Sequence, residues 1–123
     1  DLRHPLQHKC FENSITLGRD IKDQTGEGKS AELATLQFEY QMTAVKLAGA
    51  LNSLAYGRGL NSPAFTTASL KRALGHLHKA QELLALVVEQ TLLPKKTTER
   101  INKEFFEIRE GILILMDEFR CRT

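Results

Sequence analysis

Long apolar runs are missing from this chain of 123 residues. No stretch approaches the roughly 18 consecutive apolar residues that a membrane-spanning helix needs. The first residues carry no basic-then-apolar leader pattern, so the expectation is a cytoplasmic protein with no membrane partner. Cysteine is scarce: Cys10 and Cys121 are the two, and neither sits in a metal-ligand pair or a redox motif. In an up-down-up-down bundle these two positions lie at the same end and could approach one another. A cytosolic pair is more often reduced, so free thiols are expected. A charge excess of one sign is also missing, with 17 Lys and Arg against 15 Asp and Glu. A net charge of +2 does not demand a polyanionic partner, although it would add up across the subunits of an oligomer.

Catalytic signatures are equally sparse. No Ser or Cys lies in a nucleophile elbow or beside a base, and the glycines around Arg58 do not follow a strand, so they are no phosphate loop. His76 and His78 are two residues apart and would point in different directions on a helix. His4 and His8 have helical spacing but no thiol or carboxylate to complete a ligand set. Glu104, Glu107 and Glu110 lack the Glu-x-x-His pattern of di-metal bundles and read as a solvated flank. No metal and no cofactor are expected. Arg72 and His76 stand one helical turn apart, as the pair of a helical RNase might, but the HEPN ribonuclease motif has four residues between the two and here there are three. An enzyme therefore ranks last.

What is present is helical periodicity. β-alternation, internal repeats and low-complexity tails are absent, and the 41% hydrophobic and 26% charged fractions are those of an ordinary globular domain. The three prolines, Pro5, Pro63 and Pro94, all stand at segment boundaries. The pattern predicts one domain over 1–123, an all-α, antiparallel up-down four-helix bundle with helices at about 5–24, 31–56, 63–92 and 98–120. Leu6, Cys10, Leu17 and Ile21 with Ile15 give the first helix an imperfect stripe, and the Gly26 to Lys29 stretch is its turn. Ser30 caps the second helix, and Ser62, before Pro63, the third. Thr97 or Thr98 is placed to cap the fourth, after a Lys95-Lys96 turn. Leu70, Ala73, Leu74, Leu77, Ala80, Leu84, Val87 and Val88 form the stripe of the third helix, and Ile101, Phe105, Ile108, Ile112, Leu115 and Phe119 that of the fourth.

Two surfaces stand out against that frame. The second helix is apolar almost all round between Ala44 and Tyr56, with Gly49 and Ala50 small enough for close helix approach. Phe106 and Leu113 form a second, narrower strip on the fourth helix. Leu47, Leu51, Phe106 and Leu113 are accordingly expected at an interface between subunits. The opposite side of the third helix carries Lys71, Arg72, His78 and Lys79, with Arg58 and Lys95 at its ends, a strip suited to phosphates rather than to base edges. Its plain alternative is a solvated face, and no aromatics are interleaved for base stacking.

The order of elements between about Leu33 and Arg120 resembles a known family. Leu36 to Ala44 stands in the place of a Leu-x-x-Gln-x-x-x-Ala-Ala-like stretch. Asn52 to Gly57 (Asn-Ser-Leu-Ala-Tyr-Gly) stands in the place of Asn-Ile-Ala-Glu-Gly and is followed by Arg58. Phe65, Leu70, the Ala73 to Leu84 helix with Gly75 and Glu82-Leu83, and Leu92-Leu93 come next. The family is that of the four-helix-bundle proteins of ribosomal-RNA intervening sequences and the accessory variability determinant (Avd) proteins of diversity-generating retroelements. The resemblance implies a homopentameric barrel that binds nucleic acid, RNA or DNA, and partners a reverse transcriptase in mutagenic retrohoming. The expectation is a non-enzymatic oligomeric accessory protein binding nucleic acid through Arg58, Lys71, Arg72, His78 and Lys79. A protein-interaction scaffold is the alternative.

Overall fold

The computed structural model describes residues 4–26, 28, 30–55 and 63–120, with backbone alone for 52–55 and 63. Four helices follow in order: α1 (Pro5–Thr25), α2 (Ala31–Ala55), α3 (Pro63–Glu89) and α4 (Lys95–Arg120). Among the described residues there is no strand. The fold is an antiparallel up-down four-helix bundle in which α1 packs on α2, α2 on α3, α3 on α4, and α4 closes against α1. Ion pairs fix the sense of the closing seam. Lys9 near the start of α1 meets Glu107 at 3.0 Å, and Asp20 near its end meets Arg100, so the two helices run opposite ways. No helix of the described residues is long and apolar enough to cross a membrane.

The helix starts follow local chemistry. Pro5 opens α1, and the ring of His4 caps it, its Nδ1 accepting the Leu6 N–H at 3.1 Å. Ser30 caps α2 as expected, its hydroxyl accepting from the Leu33 N–H at 3.2 Å, with Glu32 in the first turn where the helix dipole favours a negative charge. Gly26, at φ 66°, ends α1, and its N–H returns to the Lys22 carbonyl. The expected Ser62 cap lies outside the described residues, as do Arg58 and Cys121.

Two boundaries differ from expectation. α4 begins at Lys95, three residues early. The Pro94 carbonyl already accepts from the Thr98 N–H at 3.1 Å, and the Thr98 hydroxyl turns inward to the Lys95 carbonyl at 3.0 Å. Neither Thr97 nor Thr98 is the cap. α3 ends at Glu89 rather than Leu92, because Thr91 adopts φ 53°. The Leu92 N–H then reaches the Val87 carbonyl at 3.0 Å and the Thr91 N–H the Val88 carbonyl at 3.1 Å. That pair of bonds is a Schellman closure. It is hidden in the sequence because a threonine stands where glycine is usual.

Every expected stripe residue of α4 is buried, as are Leu33, Leu36, Tyr40, Ala44, Leu47 and Leu51 of α2. On α3 two expected stripe residues fall short of the core: Leu74 is only partly buried and Val88 is 54% exposed. Gly111 marks a close approach of α4 to α1, since a Cβ there would stand 2.8 Å from Leu6 Cδ1. Gly49 plays no such part within the chain, for a Cβ there meets no described atom within 4 Å.

A β-branched residue in the left-handed region costs about 1–2 kcal/mol, partly offset by the greater freedom glycine has in the unfolded chain. Thr91→Gly should therefore stabilise the bundle by about 1 kcal/mol. Thermal unfolding followed by circular dichroism should show the midpoint rising by about 3–5 °C.

Candidate nucleic-acid interface

Lys71, Arg72, His78 and Lys79 all lie on the open side of α3 and are exposed. None of the four makes an ion pair with another described residue. Gly75 sits among them with nothing within 4 Å of a Cβ built there, so the strip has a bare backbone at its centre. From Lys71 to Lys79 the helix rises roughly 12 Å. One turn beyond, the exposed side becomes acidic at Glu82 and then Glu89, which confines the basic strip to the first half of α3.

The bundle adds a cation that the sequence reading missed. A shallow groove of about 420 Å³ between the start of α3 and the end of α4 is lined by Ala64, Thr67, Ala68, Lys71 and Arg120. The buried Thr67 hydroxyl oxygen in it has no hydrogen-bond partner. Lys71 and Arg120 are far apart in the chain, and only the antiparallel α3–α4 hairpin brings them to one groove. No local spacing could have signalled the pair.

His76, beside the strip in sequence, does not belong to it. It turns toward α2, where its Nδ1 stands 2.6 Å from Glu39 Oε1, with the Glu39 side chain 10% exposed. Arg72 remains on the open side, so the one-turn Arg72 and His76 pair is split between surface and helix interface. Of the residues expected between subunits, Leu47 and Leu51 are fully buried in the chain's own core. No second copy can reach them. They lie on the face of α2 that α1 and α3 cover, and the exposed face of α2 instead carries Phe38 and Val45, 52% and 56% exposed. Phe106 is exposed, while Leu113 is half-buried against the core.

The other cluster of chemistry-bearing groups is internal. Tyr40 is fully buried, stands edge-on to Phe105 at 4.7 Å, and donates its hydroxyl to Glu104 Oε1 at 2.9 Å. Arg100 Nε donates to the other Glu104 oxygen at 3.2 Å, and the same guanidinium pairs with Asp20. The result is a polar chain from the core to the α1–α4 surface. Burial raises the Glu104 carboxyl above its ordinary value, against the opposing pull of the Tyr40 hydroxyl and Arg100. Burial, and then the charge of Glu104, push the Tyr40 hydroxyl far up and the Cys10 thiol up to about 12. Both are held neutral, which suits a structural tie and not a nucleophile. Cys10 is a free thiol. Among the described residues no three His, Cys, Asp or Glu side chains converge as a metal site requires.

Two outcomes follow from these environments. A carboxyl whose folded pKa is raised keeps a proton that the unfolded chain has lost. Its penalty is therefore absent below the ordinary value of 4.5 and grows as pH rises through the folded value. Glu104→Gln keeps an acceptor for Tyr40, so urea unfolding should show it gaining stability relative to the parent as pH rises through that window. In a Cys121→Ser chain, the remaining Cys10 thiol should react with an aromatic disulfide reagent only after denaturant is added. Fast reaction in the native state would contradict its burial. Scans against protein-family models, curated proteins and solved structures find no match to this chain.

Proposed function

We propose that this protein is a non-enzymatic accessory protein that binds nucleic acid through the open side of α3. The observation that supports the reading is the group of three exposed cations, Lys71, Arg72 and Lys79, with the exposed His78 beside them, none held by a described acidic partner. Lys71 extends the strip into the groove it shares with Arg120. Unpaired side chains on a helix face can neutralise phosphates without reading base edges, which gives affinity with little sequence preference. A single strip spans only a few phosphates. Self-association would repeat it and let one polyanion touch several copies, raising avidity. The resemblance to the Avd and intervening-sequence proteins favours RNA or DNA of a retroelement as the polymer and its reverse transcriptase as the protein partner; a ring of five, which it also implies, is the outcome that would exclude a two-fold dimer.

A protein-interaction scaffold is the second reading. It is favoured by the exposed Phe38 and Phe106 rings, 52% and 59% exposed, which phosphate binding does not use.

Fluorescence anisotropy with a labelled single strand and a labelled duplex separates the two. With about three or four phosphates neutralised, doubling the salt should weaken duplex binding about tenfold. Lys71→Glu with Arg72→Glu should abolish binding while leaving helicity intact, since both side chains are exposed. A double variant that binds as tightly as the parent would reduce the strip to a solvated face and leave the scaffold reading.

A further inference from the structure

We propose that α2 pairs antiparallel with α2 of a second copy of this chain, making a two-fold dimer along the face that the bundle leaves uncovered. The bundle buries the inner side of α2 and leaves Ala31, Thr35, Phe38, Val45 and Gly49 exposed, with Met42 partly so. These six positions step by four, three, four, three and four, the spacing of a coiled-coil seam. Over the roughly 27 Å from Ala31 to Gly49, no charged side chain lies on the seam. A helix face of this length without charge on its solvent side is unusual on a chain that is 26% charged.

Charge identifies the occupant. Only Glu32, Glu39 and Lys46 on α2 are acidic or basic within this span, and all three fall on the same flank of the seam, seven residues apart. Glu39 is turned inward and held by His76 at 2.6 Å, with 8% of its surface exposed. It presents little charge. Glu32 and Lys46 remain. Parallel pairing would set each against the uncharged opposite flank of its partner, at Ala34, Gln41 and Ala48, and leave both unmatched. Antiparallel pairing, with the two-fold axis between Phe38 and Met42, sets Glu32 of each copy beside Lys46 of the other. The same axis puts Ala31 against Gly49, Thr35 against Val45 and Phe38 against Met42, small against small at the ends and large against large at the centre.

Shape agrees with charge. Beside Val45 a groove of about 410 Å³ runs between α1 and α2, lined by Phe11, Ile15, Gln41, Val45 and Ala48 among others, and its surface is mostly apolar. Phe38 is not part of its lining. The axis that relates the two helices carries the exposed Phe38 ring of one copy to the mouth of this groove on the other, a projection and a recess on one surface, as a two-fold interface requires. Gly49, which nothing in its own chain crowds, then lets the helix ends approach closely. A two-fold contact closes on itself and gives a dimer in place of a ring of five. The pairing does not depend on the nucleic-acid reading, since the strip lies on α3.

Sedimentation of the full chain tests it. At high micromolar concentration the parent should sediment at twice 13.9 kDa and dissociate on dilution, because a face one helix wide is at the small end of specific interfaces. Phe38→Glu and, separately, Val45→Lys alter exposed residues and should give a helical monomer. Lys46→Glu should weaken the dimer at least tenfold, and Glu32→Lys with Lys46→Glu should restore it. A monomeric parent, an assembly whose mass Phe38→Glu leaves unchanged, or a double swap that stays monomeric would each overturn the proposal. The Lys71 and Arg72 double variant should remain dimeric, so a failure of nucleic-acid binding and a failure of pairing are read separately.

Discussion

The surplus of apolar surface on α2 is the constraint on which the rest of the bundle depends. A helix with three acidic or basic side chains between Ala31 and Gly49 cannot be solvated on most of its circumference, so it must take neighbours on both sides. α1 and α3 supply them. α4 then reaches α2 diagonally, through Tyr40, which packs on Phe105 and bonds to Glu104. Burial of this one helix thus sets which elements touch. What remains uncovered is a narrow strip, with the exposed Phe38 and Val45 on it.

Polar groups inside the bundle are arranged so that few are left without partners. A buried tyrosine hydroxyl needs an acceptor, and Glu104 provides it, at the cost of holding a carboxylate in a half-buried place. Arg100 and Asp20 offset that cost and lock α4 to α1 at the same time. The Glu39 and His76 pair does the equivalent between α2 and α3. These ties take up the acidic and aromatic groups that might have suggested chemistry, while the cations of α3 are left outside and unmatched. The contrast between engaged interior groups and unengaged exterior ones is the physical ground for reading the outer face of α3 as a binding surface.

Glycine and threonine positions show how backbone needs and packing needs diverge. Gly111 is held by Leu6 pressing on its missing side chain, whereas Gly49 and Gly75 are open and answer to nothing within the chain. Thr91 takes a left-handed conformation usually given to glycine. The hydrogen bonds that close α3, with the half-buried Leu92 packed against the core, hold it there.

Helix number, order and most boundaries were determined by the sequence itself, because apolar spacing of three and four residues and prolines at the boundaries are local signals. The buried stripe of α4, from Ile101 to Phe119, is legible for the same reason, as is the exposure of Lys71, Arg72, His78 and Lys79 on the side opposite a stripe. Local signals say nothing of which apolar face meets which helix. Leu47 and Leu51 read as surplus only because the neighbours of α2 were unknown, and Val88 read as core although it ends up exposed beside a groove against α4. The Glu39 and His76 contact, the meeting of Lys71 with Arg120, and the Tyr40 to Asp20 chain join residues 37 to 64 positions apart or more. Only the packing of antiparallel helices brings such residues together, since periodicity fixes the direction of a side chain around its own axis and not the partner waiting there.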